Sequence, residues 1–419
     1  MTQQIQKRIG IGIGAGISAY KILELIRLLK KEGALVRAFP TSSALEFVTK
    51  LSLETLSGQP CLTDSLAVKN GQISHVEEAY HTDLFLVAPA TADLIAKMAH
   101  GFADNILLQT LLSFKGPLLV APAMETHMWE HPATQDNLAL LAKRGALIVP
   151  PEEGLLASGR SGIGRMASPE TLLECVVSAL SKKDFAGKKV LITAGPTREL
   201  LDPVRFLSNH SSGKMGIALT KAFLRRGAEV FLVHGPLQVD LPTHGSLKNF
   251  AVQSAHEMLN LVLELSPHVD IAVLCAAVAD YRPAHVAHDK IKKNNTEMEL
   301  SLLRNPDILA TVGQQSPRPF LVGFAAETSN LEIHALQKCI QKNCDLLCAN
   351  WVGRPDTGFD SDINQLLMVS PEGILGFTAS HRKDRVSHEI LDTIHQMNCP
   401  IQSKRVHEET ALFTTSFTA

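Results

Sequence analysis

No excess of charge of either sign marks this sequence: 40 Lys and Arg stand against 42 Asp and Glu, a net charge of −2. A global basic field for nucleic acid or an anionic membrane surface is therefore absent, and any anionic ligand must be held by local groups. There is no apolar run long enough to cross a bilayer, and Met1 to Arg8 is too polar for a secretory signal. The expectation is a cytoplasmic protein acting on small molecules, without nucleic-acid or membrane partners. The seven cysteines (Cys61, Cys175, Cys275, Cys339, Cys344, Cys348 and Cys399) are odd in number and lie mostly in apolar runs. That pattern fits buried thiols in a reducing compartment better than a disulfide framework. Cys344 and Cys348 have the spacing of two ligands on one helix face, but no second pair follows, which argues against a metal site.

What is there is an alternation. A chain of 419 residues, 45% hydrophobic and 20% charged, is long enough for two or three domains with sizeable cores. Arg8 to Ile13 reads as a strand and Ala19 to Lys31 as a helix with Ile22, Leu25, Ile26 and Leu29 on one face. Leu35–Phe39, Leu84–Ala88, Pro117–Ala121 and Ala146–Val149 are further short strands. Runs that are apolar throughout, not alternating, predict a parallel sheet covered on both faces. After the charged segment SALSKKDFAGKK a second cycle begins, with strands predicted at Lys189–Thr193, Glu229–Val233, Ile271–Leu274, Phe320–Phe324 and Asp345–Ala349. Helices are predicted at Gly216–Arg226 and Leu331–Lys342. The fold class predicted is α/β, with two Rossmann-like parallel-sheet domains at residues 1–178 and 189–400. Residues 179–188 form the linker and 401–419 a frayed tail.

In the first half, IGIGAGISAYK places Gly14, Gly16 and Ala19 in the spacing of a dinucleotide fingerprint. A dinucleotide site also needs a carboxylate near the end of the second strand to hold the ribose. Here LVRAF is followed by PTSS, whose hydroxyls at Thr41, Ser42 and Ser43 suit a phosphate instead. A mononucleotide such as FMN fits better than NAD. APATADLIAKMAHGFADN follows another strand, and Thr91 is at minimum a helix cap. His75 in QISHVEE is one of 17 histidines, so spacing alone leaves it as readily a packing residue as a catalytic one.

GAGISAYK, TSSA, LSLETLSG, ISHVE, APATADLIAKMAHGFADN, PAMETHMW and SGIGRM together resemble, in order and spacing, the flavin-containing cysteine decarboxylases, of the phosphopantothenoylcysteine type. The resemblance covers residues 8 to about 178. It implies that the substrate thiol is oxidised with FMN as electron acceptor, that the thioaldehyde loses CO₂, and that the enethiolate is then reduced and reprotonated. It implies His75 as the base, and Gly14, Gly16, Ile17, Thr41, Ser43, Ala90 and Thr91 at the FMN. Two positions depart from the family pattern. Glu125 stands in PAMETHMW where an asparagine normally holds the substrate carboxylate, and Ser158 stands in a lid loop where a cysteine normally donates a proton. A thiol titrates at about 8.5, whereas a serine hydroxyl is too weak an acid for that step unaided. One expectation is that a neutral Glu125 takes over as acid; the other is that the final reduction is slow or altered. The loop LLASGRSGIGRM (155–166) reads as the flap over this site, with Gly159, Gly162 and Gly164 as its hinges.

In the second half, SSGKM lacks both the glycine five residues before Gly213 and a hydroxyl residue after the lysine, which excludes a Walker A loop. Ser211 and Ser212 leave either an anion site or a capped helix start. GPTRE, DPVR, NHSSGKMG, CAAVADYRP, DKIKK, RNPDIL, VGFAAET and KCIQKN together resemble the phosphopantothenate–cysteine ligases over residues 188 to about 400. In bacterial two-domain proteins that ligase follows the decarboxylase, in the order seen here. The resemblance implies activation of the 4′-phosphopantothenate carboxylate with CTP as acyl-cytidylate, followed by attack of the cysteine amine. Asn209 matches the residue holding the acyl intermediate, and Lys290 the lysine of the cysteine step. Ala276, Asp280, Lys290, Pro306, Asp307, Ile308, Leu309, Phe324, Lys338 and Lys342 match nucleotide contacts. Asp280 suits Mg²⁺, which takes one or two carboxylates plus phosphate oxygens, and Lys338 and Lys342 are i,i+4 partners that can reach one polyphosphate.

The expectation is a bifunctional enzyme of coenzyme A biosynthesis; the alternative is a CTP-dependent ligase whose first half is an FMN-holding assembly or regulatory module. A two-domain dehydrogenase fails for want of the ribose carboxylate. The resemblance further implies homo-oligomers: trimers of the first domain with FMN at a subunit interface, possibly a dodecamer, and dimers of the second.

Overall fold

The computed structural model describes residues 7–63, 68–69, 72–292, 298–352 and 361–398; the expected tail at 401–419 and Cys399 lie outside them. The chain divides into two compact units between Ser181 and Lys182.

In the first unit, β1 (Arg8–Ile13), α1 (Lys21–Lys31), β2 (Leu35–Pro40), α2 (Ser74–His81), β3 (Leu84–Ala90), α3 (Ala92–His100), β4 (Leu118–Pro122), α4 (Thr126–Glu130) and β5 (Leu147–Ile148) build a five-stranded sheet. Its order is β2-β1-β3-β4-β5, and all pairings are parallel. All seven residues of β3 are buried, as a central strand covered on both faces requires. The four apolar positions expected on α1 are fully buried, each stabilising the fold by about 1.5–3 kcal/mol. The helix itself begins at Lys21, because Ile17–Tyr20 form a 3₁₀ turn. β6 (Glu152–Leu155) and β7 (Ser161–Arg165) form an antiparallel hairpin, and α5 (Pro169–Leu180) closes the unit. The stretch expected as an irregular flap is thus an ordered hairpin. Its tip turns back through Leu156 N–H to Arg160 O (2.8 Å) and Gly159 N–H to Leu156 O (2.9 Å).

The second unit carries β8 (Lys189–Ala194), α6 (Lys214–Arg225), β9 (Glu229–His234), β10 (Leu247–Ala251), α7 (Ala255–Leu265), β11 (Ile271–Leu274), β12 (Tyr281–Pro283), β13 (Leu302–Arg304), α8 (Ile308–Gly313), β14 (Phe320–Glu327), α9 (Leu331–Gln341), β15 (Leu346–Trp351), β16 (Leu367–Ser370), β17 (Gly373–Phe377) and α10 (Lys383–Asn398). Its sheet runs β10-β9-β8-β11-β14-β15-β16-β17; the first six strands are parallel and the last two antiparallel. Helices α6 and α10 cover one face through Phe223, Val386 and Ile390, while α7, α8 and α9 cover the other through Met258, Val312 and Ala335. The expected helical pairing of Cys344 with Cys348 does not form. Cys348 lies in β15 and Cys344 in the turn before it, both buried, because a run of β-sheet core residues overrides the i,i+4 spacing. The described residues hold no cluster of three or more metal-ligating side chains, and none of their helices is long and apolar enough to cross a membrane.

The segment expected as a spacer packs onto the second unit. Phe185 is buried against Phe223 with ring centroids 5.0 Å apart. The Arg226 guanidinium lies over Phe185 at 4.9 Å and grips Asp184 through Nε (2.7 Å) and Asp392 through Nη1 (2.7 Å). Burial pushes the Asp184 carboxyl up, but the Arg226 hydrogen bonds and charge more than offset it and leave it below its ordinary value. Arg226→Ala strands Asp184 beside an apolar ring, and breaking a buried pair from one side costs about 3–5 kcal/mol. The urea midpoint of the second unit is expected to fall accordingly. Because folding lowers the Asp184 carboxyl, its contribution is complete above the ordinary carboxylate range and fades as pH falls below about 4. The difference between wild type and variant should therefore shrink in acid.

Candidate functional site

Both sheets are doubly wound, and in such sheets ligands bind beyond the carboxyl ends of the strands where the winding direction reverses. In the first unit that point lies between β1 and β3. Gly14 N–H donates to Pro89 O (3.0 Å), and a Cβ on Gly14 would meet that same oxygen at 2.5 Å. Only glycine allows the two strand ends to approach so closely. Beyond them opens a cavity of about 660 Å³ lined by Gly16, Ile17, Ser18, Lys21 and Thr91 from the switch point. Its far wall is Met124, Glu125 and Met128, and its cover is Leu155 to Ser158 with Gly164 to Met166 of the hairpin.

Of the residues expected at this site, Gly16, Ile17, Thr91, Glu125 and Ser158 line the cavity. Gly14 and Ala90 are buried in its frame, while Thr41 caps a 3₁₀ turn through Ala44 N–H (3.2 Å) and Ser43 is exposed beside it. His75, on α2, is not among the lining residues of its own chain. Its buried Nδ1 has no hydrogen-bond partner among the described residues. Glu125 caps α4, accepting the His127 N–H on Oε2 at 2.7 Å, which commits one oxygen to the fold and leaves the other for a ligand. Ser158 is exposed at the hairpin tip. None of the six cysteines of the described residues lines this cavity. Lys21 and Arg165 line it too; each sits inside a recognised motif, but only the fold reveals that they face the same space.

In the second unit the reversal lies between β8 and β11. The chain leaving β11 crosses the strand ends and is hung on three polar side chains. Thr193 Oγ1 accepts Ala276 N–H (3.1 Å), Thr197 Oγ1 accepts Ala279 N–H (3.0 Å), and Asn209 Nδ2 donates to Val278 O (3.0 Å). A cavity of about 350 Å³ opens beside it, bringing together Asn209, Ala276 and Asp280 with Pro306 to Leu309, Phe324, Lys338 and Lys342. Both lysines have carboxylate partners: Lys338 binds Glu327 (2.5 Å) and Lys342 binds Asp307 (3.0 Å). Asp307 also caps α8 through Ala310 N–H (3.0 Å). Burial raises its carboxyl, but the Ala310 amide and Lys342 outweigh that and hold it below its ordinary value. Cys275 lines the same cavity, its thiol pushed up to about 12 by burial with a small opposing pull from Lys383, so it is not poised as a nucleophile.

Lys290 does not line this cavity. It is exposed on the excursion between β12 and β13. The next residue is gripped at both backbone atoms: Asp202 Oδ2 accepts Ile291 N–H (3.1 Å) and Arg205 Nη2 donates to Ile291 O (2.8 Å). The fully buried Asp202 also accepts the amides of Val204 and Arg205 (both 2.8 Å). The Arg205 guanidinium, above all, holds its carboxyl far below the usual carboxylate range.

Two family models match this chain. One, described as Flavoprotein, covers residues 1–181, and the other, the DNA/pantothenate metabolism flavoprotein C-terminal domain, covers 185–397. The chain is similar to the Coenzyme A biosynthesis bifunctional protein CoaBC of Vibrio vulnificus (strain YJ016), 44% identical over 396 residues that span 93% of this chain and 98% of that one. The protein of the same name from Escherichia coli (strain K12) is 45% identical over 395 residues, 93% of this chain and 96% of that one. That of Bacillus subtilis (strain 168) is 41% identical over 386 residues, 91% and 95% respectively.

The hairpin is laced to the cavity wall through Met124 N–H to Gly164 O (3.0 Å), and a Cβ on Gly164 would meet Met124 O at 2.1 Å. Gly164→Ala must lift β7 from that wall, at an overpacking cost of about 1–3 kcal/mol. Cleavage of a transiently opened segment follows its open population, so trypsin is expected to cut after Arg160 about tenfold faster in the variant. Equal cutting rates would mean that the wall accommodates the methyl group.

Proposed function

The chain belongs to the CoaBC family of coenzyme A biosynthesis bifunctional proteins, and from that premise we propose how its two crevices divide the work. It is a flavoprotein and a bifunctional enzyme: a phosphopantothenate–cysteine ligase and a phosphopantothenoylcysteine decarboxylase. The second unit joins cysteine to 4′-phosphopantothenate at the expense of CTP, and the first decarboxylates the product to 4′-phosphopantetheine. The observation that carries this division is the pair of switch-point cavities, each lined by motif residues of its own half.

In the ligase cavity the substrate carboxylate attacks the α-phosphorus of CTP, pyrophosphate leaves, and the cysteine amine then displaces CMP from the acyl carbon. Asp280 holds Mg²⁺ together with phosphate oxygens, as that ion prefers. Lys338 and Lys342 exchange Glu327 and Asp307 for the triphosphate, so the paired carboxylates keep the lysines charged and placed while the cavity is empty of nucleotide. Asn209 holds the acyl intermediate and Lys290 serves the cysteine step. If substrate carboxylate labelled with oxygen-18 is supplied, the mechanism places label in CMP; label recovered in inorganic phosphate instead would contradict it.

The first cavity suits FMN in size and lining. At about 660 Å³ it lies within the range of cofactor pockets, with Lys21 and the amides and hydroxyl near Ser18 for the phosphate, and Ile17, Met124 and Met128 for the ring. FMN supplies the two-electron oxidation and the later return of those electrons that the decarboxylation needs. The protein holds the cysteinyl moiety under the hairpin, excludes water, and manages the protons. His75 is the base, and because it lies away from its own chain's cavity we assign it to the site of a neighbouring copy. Ile17 and Tyr20, 61% and 58% exposed beside the cavity, give such a copy an apolar contact and support the trimer-based oligomer.

With no thiol in the cavity, the carboxyl oxygen of Glu125 not used by the cap delivers the last proton. General acid catalysis of this kind contributes about 10²–10⁴-fold, so Glu125→Gln should lower aminothiol formation by at least about 10²-fold while CTP-dependent ligation stays intact. Unchanged turnover in the variant would refute the acid role. Ser158 at the hairpin tip favours a second reading, in which the first unit holds FMN for assembly or regulation and decarboxylates weakly or with an altered final step. Wild-type protein that yields only unsaturated thiol product from phosphopantothenoylcysteine would establish that one.

A further inference from the structure

Asn305 stands one residue before the Pro306–Leu309 wall of the ligase cavity, 7% exposed. It is bound to the opposite wall. Its backbone N–H donates to Asp280 O (2.8 Å) and its Nδ2 donates to Ala279 O (2.8 Å). Its Oδ1 accepts from Arg282 Nη1 (3.2 Å), which also donates to Arg304 O (2.7 Å). These bonds sit at the foot of the β12–β13 ribbon, where Tyr281 pairs with Arg304. The ribbon has only three residues per strand, and every residue of β13 is exposed. A two-stranded ribbon of that size does not hold its own geometry in water.

The excursion from Asp280 to Pro306 is therefore closed at its base by Asn305 more than by its own ladder. One end of that base presents Asp280, the other presents Asp307 and so its partner Lys342, and the arm between them carries Lys290. We propose that Asn305 is a positioning residue: it fixes the spacing between the Asp280 wall and the Pro306–Leu309 wall, so that both engage one nucleotide. The proposal rests on the reading of this cavity as the CTP site. Asn305 itself exchanges no proton and touches no reacting atom.

Two variants separate this role from simple support of the fold. Asn305→Asp preserves shape and the acceptor for Arg282 but removes the donor to Ala279; Asn305→Ala removes both. A buried acceptor left without its donor costs enough to raise KM for CTP about tenfold in each variant, with kcat at saturating CTP within about twofold of wild type, the pattern of lost binding alone. Amide hydrogen exchange at residues 281–283 and 302–304 should accelerate in both. A merely structural residue would instead lower kcat, as the active fraction falls, at unchanged KM. Wild-type KM in Asn305→Asp overturns the proposal, and this variant carries the test even if Asn305→Ala fails to fold. If calorimetry finds no CTP binding by the wild-type protein, the nucleotide reading itself falls and the positioning role with it. CTP binding by wild type with unaltered binding by both variants defeats the positioning role alone.

Discussion

A parallel strand that is apolar on every residue must be covered on both faces, and the chain can do this only by winding helices in opposite directions from some central strand. Where the winding reverses, two neighbouring strand ends send their connections to opposite faces and no side chain closes the gap between them. In the first unit this opens beyond β1 and β3, and in the second beyond β8 and β11. The catalytic and binding groups described above come from the connections that leave those strand ends, so both sites inherit their rigidity from sheets whose own residues take no part in the chemistry. The close contact of Gly14 with Pro89 and the suspension of residues 276–280 from Thr193, Thr197 and Asn209 do the same work in the two units. Each pins a connection against the sheet so that it lines a cavity instead of collapsing into it.

The two cavities differ in how they handle charge. In the ligase unit each lysine of the pair at 338 and 342 is held by a carboxylate that a polyanion must displace. Such exchange lets a cation wait in place without leaving a buried charge unpaired. The decarboxylase cavity keeps its carboxylate, Glu125, in service as a helix cap. A residue that replaces an amide at a substrate-facing position thus gains a structural partner at once, which explains how the substitution is tolerated by the fold whatever it does to the chemistry.

Periodicity and motif order made much of this legible. The all-apolar strands of both sheets and the buried face of α1 follow directly from hydrophobic pattern, and the motif residues at 16, 17, 91, 276, 280, 306–309, 324, 338 and 342 do line the cavities. What escaped was set by long-range partners. The hairpin β6–β7 has too few apolar residues for a strand signal and owes its order to the close approach of Gly164 to Met124. Cys344 and Cys348 have helical spacing but sit at a strand because the core around them demands one. The carboxylates that hold Lys338 and Lys342 lie 11 and 35 residues away in sequence, and no local pattern announces them. His75 and Lys290 were singled out by motif alone, yet neither lines the cavity of its own chain. Motifs encode chemistry, and they do not say which copy of the chain receives it.

The central claim is that one chain performs both steps in order at these two crevices. Purified protein supplied with 4′-phosphopantothenate, L-cysteine and CTP tests it when the reaction is followed by mass spectrometry. The account predicts CMP, pyrophosphate and CO₂ in equal amounts with 4′-phosphopantetheine, and only a transient rise of phosphopantothenoylcysteine. Accumulation of phosphopantothenoylcysteine with no loss of CO₂ would contradict it.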